Sequence, residues 1–288
     1  MTVALVFLLI ILACVLLGIY VYKESTGFRV VRYSFINNKL KCDKYRLVFV
    51  SDMHDCVFDD DNSSVVKAIE DINPDAVYFA GDMVTSSMEP TYKYKNALEF
   101  ISRLAKDYTI YYGMGNHEEK FRRCPERFPG VYKEYCESLS KIGVHIMENE
   151  KISDEISGID VYGLDLEHEY FRKVKTKWIP DDYLQKIFGD IDEDRVSILL
   201  AHNPEQFDKY ALWKPDYVFS GHVHGGIISL PIFGGVVSPQ LKLFPKYDAG
   251  VFEIGNSRMI LSRGLGTHTI PVRVNNRAEI IVVEINRE

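Results

Sequence analysis

The sequence predicts an α/β domain with β-rich sequence toward its C-terminal end, preceded by one apolar helix. Three observations predict it. Strand-like and helix-like segments alternate after residue 46, five apolar strand-like runs end directly on Asp, Asn or His, and residues 1–22 carry no charged side chain.

In the N-terminal stretch, 20 of 22 residues are apolar, all but Thr2 and Gly18. A run of that length spans a bilayer core as a helix. It has no basic leader and no A-x-A site of the kind a secretory signal needs. Ile11-Leu12-Ala13-Cys14 faintly resembles a lipoprotein box, but apolar residues continue past Cys14. Neither helical face is polar, which fits a buried amphipathic helix poorly. The expectation is a retained transmembrane anchor over residues 1–22, a basic juxtamembrane segment over 23–44, and one domain over 45–288. Residues 23–46 hold seven Lys/Arg against Glu24 and Asp43, a balance of +5. That flank favours a cytoplasmic body, although part of the segment can belong to the folded domain, which leaves an extracytoplasmic body open.

Residues 46–51 (RLVFVS) form a short apolar run ending in Asp52, a buried strand by pattern. Asn62 or Ser63 caps a helix running to Ile72, where Val65, Val66, Ile69 and Ile72 fall at helical spacing and Pro74 follows. Residues 76–80 are a second strand, ending at Gly81-Asp82; 90–106 a helix; 109–114 a strand ending at Gly115-Asn116-His117-Glu118; and 130–142 a helix. Strands follow at 144–147, 159–164, 197–201 (ending at His202) and 217–220 (ending at Gly221-His222-Val223-His224). The runs 250–254, 258–262 and 279–285 close the chain as strands.

The chain of 288 residues is 47% hydrophobic with a net charge of -7, enough to bury a core and too apolar for disorder. Outside residues 1–46 the charge sums to -12, which argues against broad nucleic-acid binding. The five cysteines make no C-x-x-C pair, and free thiols in a reducing compartment are expected.

Taken singly, the clusters at Asp52, Asp82 and His202 favour a turn, a loop start or a helix cap, whereas Gly221-His222-Val223-His224-Gly225-Gly226 is a stronger signal, since paired His flanked by glycines suit a core poorly. Together, at the carboxyl ends of strands where open α/β sheets bind ligands, they converge on one site. Mixed carboxylate, imidazole and amide donors suit a borderline-to-hard divalent ion such as Mn, Fe or Zn rather than a thiolate site. A carboxylate can bridge two such ions, and a paired centre lowers the pKa of a bridging water and neutralises charge in phosphoryl hydrolysis.

Asp52-x-His54, Gly81-Asp82, Gly115-Asn116-His117-Glu118, His202 and Gly221-His222-x-His224 resemble, in order, the five motifs of the calcineurin-like metallophosphoesterases. The resemblance covers the body from about residue 45 onward. It implies a four-layer α/β/β/α sandwich of two mixed sheets with two divalent metals at the strand ends. By position it assigns Asp52, His54, Asp82 and His224 to one metal and Asp82, Asn116, His202 and His222 to the other, Asp82 bridging. His117 matches the family's non-ligand histidine, which contacts the phosphate and protonates the leaving group. Met83-Val84-Thr85 after Gly81-Asp82, and Met114 before Gly115, depart from the protein Ser/Thr phosphatase pattern. The anchor, the loop 221–226, residues 243–247 and the stretch 264–273 are more similar to the membrane-associated YkuE/YaeI-type phosphoesterases, related to UDP-2,3-diacylglucosamine hydrolases.

Asp55 is either a turn cap or added anionic charge beside the site. Lys246 and Arg263, in Gly-rich loops near the last motifs, are candidates for a non-transferred phosphate, as is Arg273; His145, His168 and His268 match no motif. The expected function is a dinuclear metal-dependent hydrolase of a phosphodiester or pyrophosphate bond, with a lipid-linked or nucleotide-sugar substrate. No nucleic acid and no obligate protein partner are expected. The alternatives are a phosphomonoesterase or nuclease of the same fold, and a non-catalytic metal-binding scaffold at the membrane.

Overall fold

The computed structural model describes residues 2–86, 92–172, 176–226, 229–230, 234–235, 245–267 and 272–288. Helix α1 (Thr2–Thr26) is 25 residues long, about 37 Å at the α-helical rise, against roughly 30 Å of bilayer hydrocarbon. It is long and apolar enough to cross a membrane, and no part of its apolar window is buried against the body.

Among the described residues, twelve strands form the two main sheets of the body. They are β1 (Phe28–Ile36), β2 (Lys44–Val50), β3 (Ala76–Ala80), β4 (Thr109–Gly113), β5 (His145–Met147), β6 (Glu150–Asp154), β7 (Ile159–Leu164), β8 (Val196–Ala201), β9 (Tyr217–Ser220), β10 (Gly250–Ile254), β11 (Ser257–Leu261) and β12 (Ala278–Asn286). The first sheet has the order β1-β12-β2-β3-β4-β5, the second β10-β11-β9-β8-β7-β6. Both are mixed: β12 runs antiparallel to β2, and the outer pairs β6/β7 and β10/β11 are antiparallel, while the remaining neighbours are parallel.

Strand periodicity sorts the side chains into layers. On β2 and β3, Val48, Val50, Val77 and Phe79 face the helices α2 (Ser63–Ile72), α3 (Lys95–Leu104), α4 (Asn116–Arg123) and α5 (Val131–Lys141). The alternate residues Leu47, Phe49 and Tyr78 meet Ile198, Leu200 and Phe219 from the second sheet. On the far side, Leu199, Ala201 and Val218 pack with α6 (Tyr183–Phe188) and α7 (Phe207–Trp213). Three apolar cores thus separate four layers, the α/β/β/α sandwich that the motifs imply.

Three local expectations change. Helix α3 begins at Lys95, not near residue 90, because Tyr92–Lys93 pairs with Thr85–Ser86. The N-terminus of α2 is capped by Asp61 and Asp59, which accept from the Ser63 and Ser64 amides; Asn62 Oδ1 instead accepts from Phe58 N. Residues 28–36 are not a mere lead into the domain: they form edge strand β1, paired along its length with β12. The cations there are largely spent on the body. Arg29 pairs with Glu279 at 3.0 Å, Lys39 with Asp216 at 2.9 Å, and Lys44 and Arg46 with Glu284 at 2.7 and 2.8 Å. Most of the charge behind a cytoplasmic orientation is therefore matched within the fold.

Phe219 is fully buried between the sheets, its ring 4.9 Å from Phe49 and 6.1 Å from Tyr78. Phe219→Ala is expected to lower unfolding free energy in urea by about 3–5 kcal/mol. Leu212→Ala, on the exposed side of α7, is expected to stay within about 0.5 kcal/mol.

Candidate metal centre

The parallel strands deliver five loops to one end of the sandwich. Asp52 and His54 follow β2, Asp82 follows β3, Asn116 and His117 open α4 after β4, His202 follows β8, and His222 and His224 follow β9. Their donor atoms gather into three overlapping groups able to hold a metal ion: Asp52, His54 and His224; Asp82, His202 and His222; and His54, Asp82 and His117. His54 Nε2 and His224 Nε2 lie 2.9 Å apart, and His224 Nε2 is 3.3 Å from Asp52 Oδ1. His202 Nε2 is 3.1 Å from Asp82 Oδ2 and 3.8 Å from Asp52 Oδ1, which joins the two halves.

The backbone reaches this convergence through unusual torsions. Asp52, His54, Asp82, His222 and His224 all have φ between 51° and 73°. Each such residue costs on the order of 1–3 kcal/mol, and such outliers cluster where function over-determines the chain. Gly81, with φ 87°, and Gly115 sit backbone to backbone; a Cβ on either would run into the other loop. Gly221 has no room for a Cβ because Ser51 Oγ and the Asp52 carboxylate lie against its Cα.

Neighbouring groups fix which atoms face the cavity. The Ala80 carbonyl accepts from His202 Nδ1 at 2.6 Å, so Nε2 is the nitrogen that faces Asp82 and the cavity. Ser86 N donates to His117 Nδ1 at 2.8 Å; a backbone N–H can only donate, so the ring proton of His117 sits on Nε2, 4.0 Å from Asp82 Oδ2. The first turn of α4 donates His117 N to Asp82 Oδ1 at 2.8 Å, leaving Oδ2 for the imidazoles. Asn116 Oδ1 is buried with no hydrogen-bond partner among the described residues.

Charge supports the same reading. Burial, opposed by His202, raises Asp52 to about 6. Burial would raise Asp82 too, but His202 and His117 outweigh it and hold that carboxyl well below the usual range. His202 is disfavoured as a cation by burial, yet Asp82 and Asp52 push it up to about 9. A pocket that stabilises positive charge this strongly, with oxygen and imidazole donors and one orphaned amide oxygen, fits a pair of divalent cations.

Several supporting residues were not legible as such in the sequence. Glu118 is fully buried and accepts four hydrogen bonds: Asp82 N and Gly115 N on Oε2, at 2.9 and 3.1 Å, and Met83 N and Tyr112 OH on Oε1, at 3.0 and 2.6 Å. Its position three residues into α4 was the available signal, since a helix N3 Glu reaches back to the N-cap amide. Phe171 covers the second half of the site, its ring 5.2 Å from His222 and 6.1 Å from His202. Asp55 is a cap: its Oδ1 accepts from Ala97 N in the first turn of α3.

The two cations expected near the last motifs are placed differently. Arg263 lies against Gly225, where its guanidinium donates to Asn276 Oδ1 and stands 3.8 Å from Glu279. Lys246 is exposed, paired with Asp208 at 2.8 Å, and in no contact with the cluster among the described residues. His145 stacks on Tyr111 and His168 is exposed; residues 243, 244, 268, 270 and 271 lie outside the described residues. The cysteines form no disulfide.

A family model for the calcineurin-like phosphoesterases matches residues 45–226, the stretch that carries all five loops. The chain belongs to that family. It is a phosphoester hydrolase of the metallophosphoesterase type, a family that uses divalent metals. Among its relatives, a metallophosphoesterase of Aquifex aeolicus is 28% identical over 280 residues, covering 94% of this chain and 97% of that one. Phosphodiesterase YaeI of Escherichia coli is 23% identical, with 92% and 90% covered. The UDP-2,3-diacylglucosamine pyrophosphatase LpxG of Chlamydia muridarum is also 23% identical, with 77% and 78% covered.

For this phosphoesterase, Glu118→Gln tests the support beneath Asp82. An amide cannot accept on both ends, so at least one backbone N–H loses its acceptor. Thermal and urea unfolding are expected to show a loss of about 1–3 kcal/mol, with the helical circular-dichroism signal retained.

Proposed function

We propose that the phosphoesterase hydrolyses a phosphodiester or pyrophosphate bond in a substrate presented at a membrane surface. The observation that carries the chemistry is that Asp82 belongs to two of the three overlapping donor groups, with His117 Nε2 4.0 Å from its Oδ2. Asp52, His54, Asp82 and His224 would hold one divalent ion; Asp82, Asn116, His202 and His222 would hold the second. When bound there, such a pair supplies Lewis acidity and a water made nucleophilic at neutral pH. The protein does the rest. Asp82, fixed by Glu118 and by the α4 amide, keeps the two halves in register. His117 offers a single proton, at Nε2, because Ser86 N–H occupies Nδ1, and it donates to the departing oxygen. Phe171 shields His202 and His222 from water.

Strand order supports the membrane reading. β12 is antiparallel to β2 and β1 is parallel to β12, so β1 starts at the end of the sheet where β2 delivers Asp52. Helix α1 ends at Thr26, two residues before β1. With two strand spacings between β1 and β2, the helix end stands laterally about 10 Å from the strand bearing Asp52. A site so close to the end of an anchor opens at headgroup depth. The names of YaeI and LpxG, a phosphodiesterase and a pyrophosphatase of a lipid-bearing nucleotide sugar, support the same bond types.

The full chain in detergent with Mn is expected to turn over bis-p-nitrophenyl phosphate. Asp82→Ala is expected to abolish this turnover; undiminished turnover would remove Asp82 from the site, and no metal-dependent turnover of any ester in the wild type would end the hydrolase reading. His117→Ala should cost about 10²–10⁴-fold on a dialkyl phosphodiester or diphosphate. It should cost far less on the p-nitrophenyl ester, whose leaving group departs without a proton; equal losses on both would take His117 away from the leaving oxygen.

Substrate presentation is read in nanodiscs. A diphosphate anchored in the same bilayer should be hydrolysed faster than its soluble headgroup analogue at equal bulk concentration. Equal rates would remove the membrane element of the proposal.

A further inference from the structure

The mechanism above leaves unused a buried cation next to the site. Arg273 is 4% exposed, and its guanidinium donates to four backbone carbonyls. Nη1 reaches Arg263 O at 3.0 Å and Asn276 O at 2.9 Å; Nη2 reaches Gly264 O at 3.2 Å and Gly266 O. All four lie between β11 and β12, so the planar fork of the side chain ties residues 263–266 to Asn276.

The stapled loop in turn backs the Asp52 half of the site. Leu265 N donates to Ser51 O at 2.9 Å, and Gly266 N to Asp52 O at 2.7 Å. Gly264 lies so close that a Cβ there would sit 2.8 Å from Asp52 Cβ and 3.1 Å from His224 Nδ1. Asn276 Nδ2 donates to His224 O at 2.7 Å and to Gly226 O. Both Asp52 and His224 therefore rest on the loop that Arg273 closes.

The same residue touches the N-terminal helix. Arg273 N donates to Ser25 Oγ at 2.9 Å, and Ser25 Oγ lies 3.4 Å from Arg273 O. Ser25 is in the last turn of α1. No comparable hydrogen bond joins α1 to the Asp82 half among the described residues.

We propose that Arg273 is a positioning residue that couples the N-terminal helix to the Asp52–His54–His224 group, so that the seating of that helix tunes metal affinity in one half of the centre. This rests on the reading of the two groups as metal sites. Groups that orient metal ligands typically change affinity by about 10–100-fold when removed. The one-sidedness of the effect follows from the contacts to Asp52 and His224.

The test is a Mn titration of the full chain in nanodiscs, followed by calorimetry and by electron paramagnetic resonance, with no substrate present. The wild type should bind two ions. Arg273→Gln should weaken one site by about 10–100-fold, leave the other at its wild-type affinity, and abolish the spin-coupled signal at low Mn. Arg273→Lys, which keeps the charge and three donors but not the fork, should recover part of the loss. Ser25→Ala should weaken the same site by a few fold, and it tests the coupling even where Arg273→Gln fails to fold. Wild-type affinity at both sites in Arg273→Gln, or equal weakening of both, overturns the positioning role. An unchanged Mn titration in Ser25→Ala overturns the link to the helix. A wild type that binds no Mn sinks the metal-site reading itself, which separates that failure from failure of the inference.

Discussion

Two carboxylates taken out of water set the terms for this molecule. Asp52 and Asp82 are buried at the ends of adjacent strands, and a buried anion is stable only where positive charge or several donors share its burial. Here amides from α4 and the 221–222 turn, the Ser51 hydroxyl and the surrounding imidazoles supply part of that need. The carboxyl groups, the elevated His202 and the Asn116 oxygen, unpartnered among the described residues, suit a cavity for cations. Divalent cations held there would reverse the sign of the local field that an acidic body otherwise presents to an anionic phosphoester.

Holding that cavity together requires the whole sandwich. Five of the candidate ligands sit in left-handed backbone, a strain that a small or loose domain would relax. The three apolar cores pin the strands that carry these loops, and the polar supports act from behind: Glu118 beneath Asp82, Asn276 beneath His224, the Ala80 carbonyl behind His202. Locally unfavourable torsions held by globally favourable packing are the pattern expected of a functional site.

The N-terminal helix belongs to this arrangement more closely than a tether would. Its last turn meets the loop that supports Asp52, and the strand that continues from it closes the edge of the first sheet. The basic stretch after the helix reads as a juxtamembrane segment in sequence, but most of it is matched by Glu279, Asp216 and Glu284 of the body. The acidic net charge, likewise, describes the exterior and not the cavity.

The sequence by itself determined the chemistry-bearing residue types and their places at strand ends. An apolar run followed by Asp, Asn or His is a local pattern, and five such patterns in order specify the family and name its candidate donors. The main strands, α2 and α5 were legible for the same reason, since periodicity of 2 or 3.6 is written along a single segment. Strand β1 was not, because its residues 28–36 mix charged and apolar side chains and its partner lies 250 positions away. Only the tertiary structure decided that His54 and His224, 170 residues apart, would meet at 2.9 Å. It also decided that a backbone amide would fix the proton of His117 and that Arg273 would stand between the helix and the site. Those outcomes depend on strand order and on the packing of two sheets face to face, which no single segment contains.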